Sequence, residues 1–446
     1  MKTRYLVIVL LLLTLHVNAQ DTLRLSVQDC IDLALENNIP LKNAQLEIGK
    51  AQATKRQAEA EYLPSVSAQA LAFDARNAML SFGIDDIDNA LVRQTLYNLY
   101  AQYGGFLGLE KEYSFVQKGT MLNLMATEPL YAGGRIRNGN RLAKLGIEAA
   151  ELQAQVKEDE IRLQTQCLYW QIVALQDKVN TLNQLDQLLD TLGKDLEGAI
   201  EAGLAMPTDQ YKLTVKKNES ALNRKKVEDG LMLLKMALAQ YIGIDGQALT
   251  LTDTLGLEVA PTAYFQDPVE AVSQRRESQL LDLSVKAERL KKKMTLGEAL
   301  PSLLVGGSAS YHTFLGNGKP NALVFAVLQV PITDWYKTSW KLRQHNLDTE
   351  IAENNRRDLT EQMRLQTEQA WYNLEQSWLR ITMAETALSD AEANMKIVSD
   401  YYEAGLVSLS DLLEAQTLLR QSHNELSDSR MEYRINVVSY QQLIHQ

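Results

Sequence analysis

Cysteine and histidine are scarce in this chain, and so is proline. Among 446 residues there are 2 cysteines, 5 histidines and 9 prolines. Cys30 and Cys167 both sit in helical patterns, so no disulfide framework is expected and two free or buried thiols are the reading. His16, His312, His345, His423 and His445 are scattered, and no His-Glu-x-x-His occurs, so no metal centre is expected. Long hydrophobic runs are missing too. After residue 19 nothing reaches the roughly 18 consecutive apolar residues of a membrane helix, so a membrane would have to be met by another route. A basic excess is also absent. The formal charge is -11, and removal of Lys2 and Arg4 with a leader segment makes it -13, which excludes nucleic acid as a natural partner. Gly133-Gly134-Arg135-Ile136 lacks the Lys-Ser/Thr ending of a phosphate loop and reads as a strand-to-helix turn. No residues support an enzyme, and no cofactor is expected.

What is present begins with residues 1–19, which read as a secretory signal. Lys2 and Arg4 form a positive n-region, Tyr5 to Leu15 a short apolar run, and Val17-Asn18-Ala19 a small-residue cleavage site before Gln20.

The rest is organised by an internal repeat. Glu403-Ala404-Gly405-Leu406 has a twin in Glu201-Ala202-Gly203-Leu204, an offset of 202. The same offset aligns Pro129 with Pro331, Arg162-Leu163-Gln164-Thr165 with Arg364-Leu365-Gln366-Thr367, and Asp209 with Asp411. The first repeat is assigned to residues 20–243, a linker to 244–266 and the second repeat to 267–446. Each repeat is expected to be a long helical hairpin turning at Glu-Ala-Gly-Leu, with the glycine as a left-handed cap.

Periodicity supports this. Leu168, Ile172, Leu175, Val179 and Leu182 step by 4 and 3, as do Trp371, Leu374, Trp378 and Ile381. No proline falls between Gly134 and Gly203 or between Tyr336 and Gly405. Seventy such residues give a rod of roughly 100 Å. A short opening helix is expected from Leu25 to Asn38 with Ser26 as N-cap.

After Leu63-Pro64-Ser65 and again after Leu300-Pro301-Ser302 the period switches to two. Val66, Ala68, Ala70 and Ala72 alternate with Ser65, Ser67 and Gln69, and a second run follows in each repeat, Thr120 to Thr127 and Ala322 to Val330. These lengths are near the ~9–11 residues of a tilted membrane strand, with a proline expected to stop the ladder at each end. The first hairpin carries 35 extra residues, roughly Ala75 to Phe115, expected as a solvated acidic loop. Four strands cannot close a barrel, and open edges are not tolerated in lipid. Two chains would give a filled eight-stranded barrel, and three a twelve-stranded one with a lumen. Trp335, Tyr336 and Trp340 follow the last strand, either as an interfacial aromatic belt or as packing at a helix top.

With "LALENN" (33–38), "YLPS" (62–65), "PLYAGGR" (129–135) and above all "YYEAGLVSLSDLLEAQ" (401–416), the chain resembles the TolC-like outer-membrane efflux family over essentially its mature length. The resemblance implies a mainly α fold with a small β part. It implies a homotrimer whose 12-stranded β-barrel is continued by a periplasmic α-helical barrel. Such a channel conducts substrates passively across the outer membrane of a Gram-negative bacterium. Its partners would be a periplasmic adaptor and an inner-membrane transporter, the adaptor meeting the tips at Gly203, Leu204, Gly405 and Leu406. The family's periplasmic gate falls on Asp411, Glu414, Asp209 and Tyr402. The basic residue of the family's lock falls on Val407, a departure. Ser408-Leu409-Ser410-Asp411 also reads as a helix capping box, so cap and gate are both open for Asp411. The alternatives are a secreted or periplasmic coiled-coil scaffold, which would be soluble without detergent, and a periplasmic adaptor, which would have one hairpin rather than two.

Overall fold

The computed structural model describes residues 23–203, 205–244, 249–256, 258–313 and 318–444; the expected signal segment lies outside them. The chain divides into two compact units, and neither coincides with one repeat. One contains the described residues up to 50, then 148–283 and 353–446. The other contains 51–147 and 284–352. Four helices contribute residues to both: α2 (Ile39–Ala60), α4 (Arg135–Glu201), α7 (Arg276–Glu298) and α8 (Asp334–Glu403).

The unit of residues 51–147 and 284–352 carries an antiparallel sheet of β2 (Ser65–Asp74), β5 (Lys118–Ala132), β7 (Ser302–His312) and β8 (Lys319–Gln329), in the order β2-β5-β7-β8. The proline that ends each Leu-Pro pair separates α2 from β2 and α7 from β7, because it can neither extend the helix nor donate to a ladder. Register turns the period-two pattern into two chemically different faces, since directly paired residues share a face. Ala68 pairs with Leu124, Leu124 with Ala309 and Ala309 with Ala322, an apolar row. One step along, Gln69, Asn123, Ser310 and Asn321 form a polar row on the other face. The two edge strands, β2 and β8, are exposed almost throughout, with Val324 90% exposed.

Two sequence expectations are corrected in this unit. Pro129 does not end its strand, because β5 continues to Ala132 through a register shift between Pro129 and Tyr131. The bulge tolerates the missing N–H. The 35-residue insertion is not an open acidic loop. It folds into β3 (Leu80–Gly83), a 3-10 turn (Ile84–Asp86), α3 (Ala90–Leu107) and β4 (Glu112–Phe115), with β3 and β4 paired antiparallel. Its acids serve local order. Asp85 accepts from the Tyr97 hydroxyl and lies 3.5 Å from the Lys111 ammonium, and Asp86 accepts from Gly83 N–H at 2.7 Å. The Tyr97 hydrogen bond, with help from the Lys111 charge, holds the Asp85 carboxyl below its ordinary range.

Between β5 and α4, Gly133 and Gly134 both take positive φ, +62° and +77°. Gly133 also passes so close to Gly297 that an added Cβ would lie 2.1 Å from the Gly297 carbonyl oxygen. The Gly-Gly turn is therefore required by conformation and by contact.

The other unit is helical. It includes α1 (Val27–Asn37), α5 (Pro207–Ile242), α6 (Pro268–Gln274) and α9 (Leu409–Ile444) with most of α4 and α8. α1 opens on the expected cap. Asp29 N–H donates to the Ser26 hydroxyl at 3.2 Å, and Ser26 N–H donates to the Asp29 carboxylate at 2.9 Å. The heptad leucines bury as a seam, with Leu182, Leu185, Leu189, Leu192 and Leu196 of α4 packed against Leu213 of α5 and Leu409 and Leu412 of α9. The repeats are thus interleaved in one core. A polar ladder joins them further along. Lys178 pairs with Asp428 at 2.6 Å, and the Ser427 hydroxyl donates to Asp177 at 2.6 Å. The chain between the repeats adds β6 (Leu249–Leu251), parallel to β1 (Leu23–Leu25). Buried Tyr169 ties this pair down through a 2.7 Å bond from its hydroxyl to Asp253. Cys30 is buried, which pushes its thiol up to about 12, and both cysteines are free.

Candidate functional site

Both Glu-Ala-Gly turns end their helices as expected from the glycine. Gly405 adopts φ +71° and Gly203 φ +74°. At the second turn Gly405 N–H donates to Tyr402 C=O at 3.0 Å and Leu406 N–H to Tyr401 C=O at 2.8 Å, the paired bonds of a Schellman cap. At the first, Gly203 N–H donates to Ile200 C=O at 3.0 Å and Ala205 N–H to Ala199 C=O at 3.2 Å. Leu204 lies outside the described residues. Leu406 is 72% exposed and Met206 69%, so apolar side chains project at both turns, uncovered by the described residues.

Of the four acid and tyrosine positions singled out by the family resemblance, two are brought together. Tyr402 is half-buried against the leucine seam, and its hydroxyl is pushed up by burial first and then by the charges of Asp209 and Asp195. Asp209 sits in the first turn of α5 and holds Lys212 at 3.0 Å. Lys212 also donates to the Ser410 hydroxyl at 3.2 Å, linking α5 to the start of α9. Sequence reasoning missed Lys212. The signal was available, since the 202-residue offset places Lys212 on Glu414 and so sets opposite charges at equivalent positions of the two hairpins.

Asp411 is a cap. Its carboxylate accepts from Ser408 N–H at 2.8 Å and from the Ser408 hydroxyl at 2.7 Å, while Asp411 N–H donates to that hydroxyl at 3.3 Å. These bonds hold the Asp411 carboxyl below its ordinary value. Asp411 is nevertheless exposed, and so is Glu414 one turn on, on the same side of α9. Capping leaves the ionised form in place, so it is compatible with a charged ring. Val407, half-buried, supplies no charge; the cation found at these turns is Lys212.

Trp335, Tyr336 and Trp340 open α8 directly after β8, and they are 57%, 76% and 56% exposed. The Trp335 indole donates to Ala299 C=O at 3.0 Å, and the Tyr336 and Trp340 rings meet edge-on at 6.3 Å.

The long helices also leave apolar seams uncovered. On α8, Leu365, Tyr372 and Leu379 recur every seven residues at 57%, 65% and 57% exposure. On α5, Tyr211, Val215 and Leu222 step by four and seven, at 73%, 67% and 57% exposure. A stripe at heptad spacing that the described residues leave uncovered has the pattern of half a coiled-coil interface.

Residues 269–444, the greater part of the second repeat, match the family model described as outer membrane efflux protein. No curated protein matches the chain in sequence. Its fold is shared with solved outer-membrane channels at low identity. The CmeC outer membrane channel of Campylobacter jejuni is 15% identical, with 94% of this chain and 85% of that one covered at a TM-score of 0.76. The outer membrane protein VceC of Vibrio cholerae is 15% identical, with 94% and 95% covered at 0.73. The MtrE outer membrane channel of Neisseria gonorrhoeae, in its open state, is 14% identical, with 94% and 88% covered at 0.72. The second repeat thus matches the outer membrane efflux protein model, and the chain shares the fold of these outer-membrane channels.

Proposed function

We propose that this TolC-like chain is the outer-membrane channel of a tripartite export system. It takes substrates passively from an inner-membrane transporter and a periplasmic adaptor to the outside. The observation that carries the reading is that the chain is unfinished by itself. Its sheet has an apolar face, a polar face and two long open edges, and an open edge in lipid leaves a row of unsatisfied backbone groups. The strands alternate in direction from β2 to β8, so β8 of one copy runs antiparallel to β2 of the next and the sheet closes with any number of copies. Three copies make twelve strands, with Gln69, Asn123, Ser310 and Asn321 facing a lumen and Ala68, Leu124, Ala309 and Ala322 facing lipid. The uncovered heptad seams of α5 and α8 support the same assembly, as neighbouring copies would cover them.

In this reading Trp335, Tyr336 and Trp340 sit at the membrane interface, where their amphipathic rings are favoured. The projecting turns around Gly203, Leu204, Gly405 and Leu406 meet the adaptor. Three copies of Asp411 and Glu414, with Asp209 and Tyr402 behind them, line the periplasmic gate. A scaffold would not need a sheet with opposed polar and apolar faces. Purification from outer membranes in detergent should yield a trimer that conducts ions in planar bilayers. A conducting monomer or dimer would sink the assignment. In the same recordings, Asp411→Ala with Glu414→Ala should lower cation selectivity and weaken block by a trivalent cation, because a ring of carboxylates selects cations. An unchanged reversal potential and unchanged block would leave these residues as caps alone.

A further inference from the structure

Outside the gate, the unit of residues 51–147 and 284–352 gathers three metal-binding side chains. Glu288 stands on α7; His345 and Asp348 stand one turn apart on α8. One ligand atom from each lies within 4.8 Å of the others. Their side chains are 21%, 23% and 39% exposed, so most of each is out of water. The sequence did not disclose the group, because Glu288 and His345 are brought together only by the packing of α7 on α8.

We propose that Glu288, His345 and Asp348 form a binding site for a divalent transition-metal cation, with Zn2+ as the ion best suited to the set. The histidine carries the argument. Its Nε2 is bonded to the Thr295 hydroxyl at 2.9 Å, two turns beyond Glu288 on α7. Its Nδ1 is buried and has no hydrogen-bond partner. The nearest carboxylate oxygen, Asp348 Oδ2, is 3.6 Å away, too far for a hydrogen bond. With the proton on Nε2, donated to Thr295, the Nδ1 lone pair points into a space edged by two carboxylates. Three acceptors converge there, and a cation among them satisfies all three. The 3.6 Å between His345 Nδ1 and Asp348 Oδ2 fits, since two zinc ligands at ~2.1 Å and a tetrahedral angle are about 3.4 Å apart, and Glu288, within 4.8 Å of both, would close on the ion by a side-chain adjustment.

The electrostatics agree. Glu288 Oε1 is held by Lys291 at 2.7 Å, which leaves its second oxygen and a net negative charge for the ion. Three protein ligands leave a coordination position for water. Thr295 plays the supporting part usual around ligating histidines, fixing the tautomer and the ring plane. The ion would tie α7, which leads into β7, to α8, which leaves β8, and so clasp the base of the second hairpin. The competing arrangement is a protonated His345 paired with Asp348, which would exclude the metal.

The test uses the full-length protein in detergent, stripped with a chelator and titrated with Zn2+ by calorimetry. One saturable Zn2+ per chain is expected. His345→Gln should abolish it. Thr295→Val, which keeps all three ligands, should weaken it by roughly 10–100-fold. Should His345→Gln fail to fold, Asp348→Asn and Thr295→Val carry the comparison. Co2+ in place of Zn2+ should give visible bands without thiolate charge transfer, which separates this site from Cys30 and Cys167. Absence of saturable Zn2+ binding overturns the proposal. So does wild-type affinity in the variants, or a thiolate band with cobalt. None of these results depends on whether the protein conducts.

Discussion

The exposed seam on α8 sets a quantitative expectation for assembly. Leu365 and Leu379 lie two heptads apart, each 57% exposed in the single chain. Burying a leucine fully is favourable by about 1.5–3 kcal/mol, so covering the remaining surface of each is worth roughly 1 kcal/mol. Leu365→Gln with Leu379→Gln removes two such contacts per chain, or roughly 6 kcal/mol over three copies, about four orders of magnitude in the trimer dissociation constant. The substitutions should leave the single chain folded, because both side chains already face water there and glutamine is a good helix former. The assay is trimer dissociation in detergent, followed by size exclusion with light scattering against temperature and protein concentration, with far-ultraviolet circular dichroism on the same samples. The double variant should fall apart at lower temperature and higher concentration while keeping its helical signal. A variant trimer that dissociates as the wild type does would refute the argument, since the seam would then not be an interface.

Three further outcomes follow from the same geometry. Gly133→Ala must accommodate a Cβ 2.1 Å from the Gly297 carbonyl and a positive φ, and should cost roughly 2–5 kcal/mol in chemical unfolding, whereas Gly134→Ala, which shares the positive φ but would meet only Asn138 Nδ2 at an ordinary 3.7 Å, should cost only about 1; equal costs would rule out the close approach as the cause. Because the Ser408 bonds hold Asp411 below its ordinary 3.8, the capping contribution is fully present above that value and is lost as pH falls through the lowered one. Hydrogen exchange at Leu412, corrected for intrinsic rate, should therefore accelerate in strong acid in the wild type but be already fast and less pH-dependent in Ser408→Ala. Finally, the folded insertion joins β2 to β5 at the barrel end expected to face outwards, so trypsin added to intact cells should cut near Arg76 or Lys111; cutting that needs a breached outer membrane would reverse the orientation.

The repeat, the helix periods and the turn chemistry are local properties, and they were readable from residue order. Gly203 and Gly405 cap their helices because only glycine enters the left-handed region freely, and Ser26 and Ser408 cap because a hydroxyl three residues before an acid closes a reciprocal pair. The alternation of Val66, Ala68 and Ala70 with Ser65, Ser67 and Gln69 also announced a sheet with two unlike faces. The insertion was misread for the opposite reason. Its aspartates have ordinary local sequence, and their order comes from Tyr97 and Lys111, residues that reach Asp85 only once β3 and β4 have paired.

What tertiary structure alone decided is which distant residues share space. Register aligned Gln69 with Asn123, Ser310 and Asn321, and packing interleaved the leucines of α4 with those of α9. The fold also put Lys212 beside Ser410 and His345 beside Glu288. Residue order determines the period and the caps, because those interactions span four residues or fewer. It does not determine which helix faces which, because that choice rests on the summed burial of whole surfaces, and here those surfaces include ones that a single chain leaves uncovered.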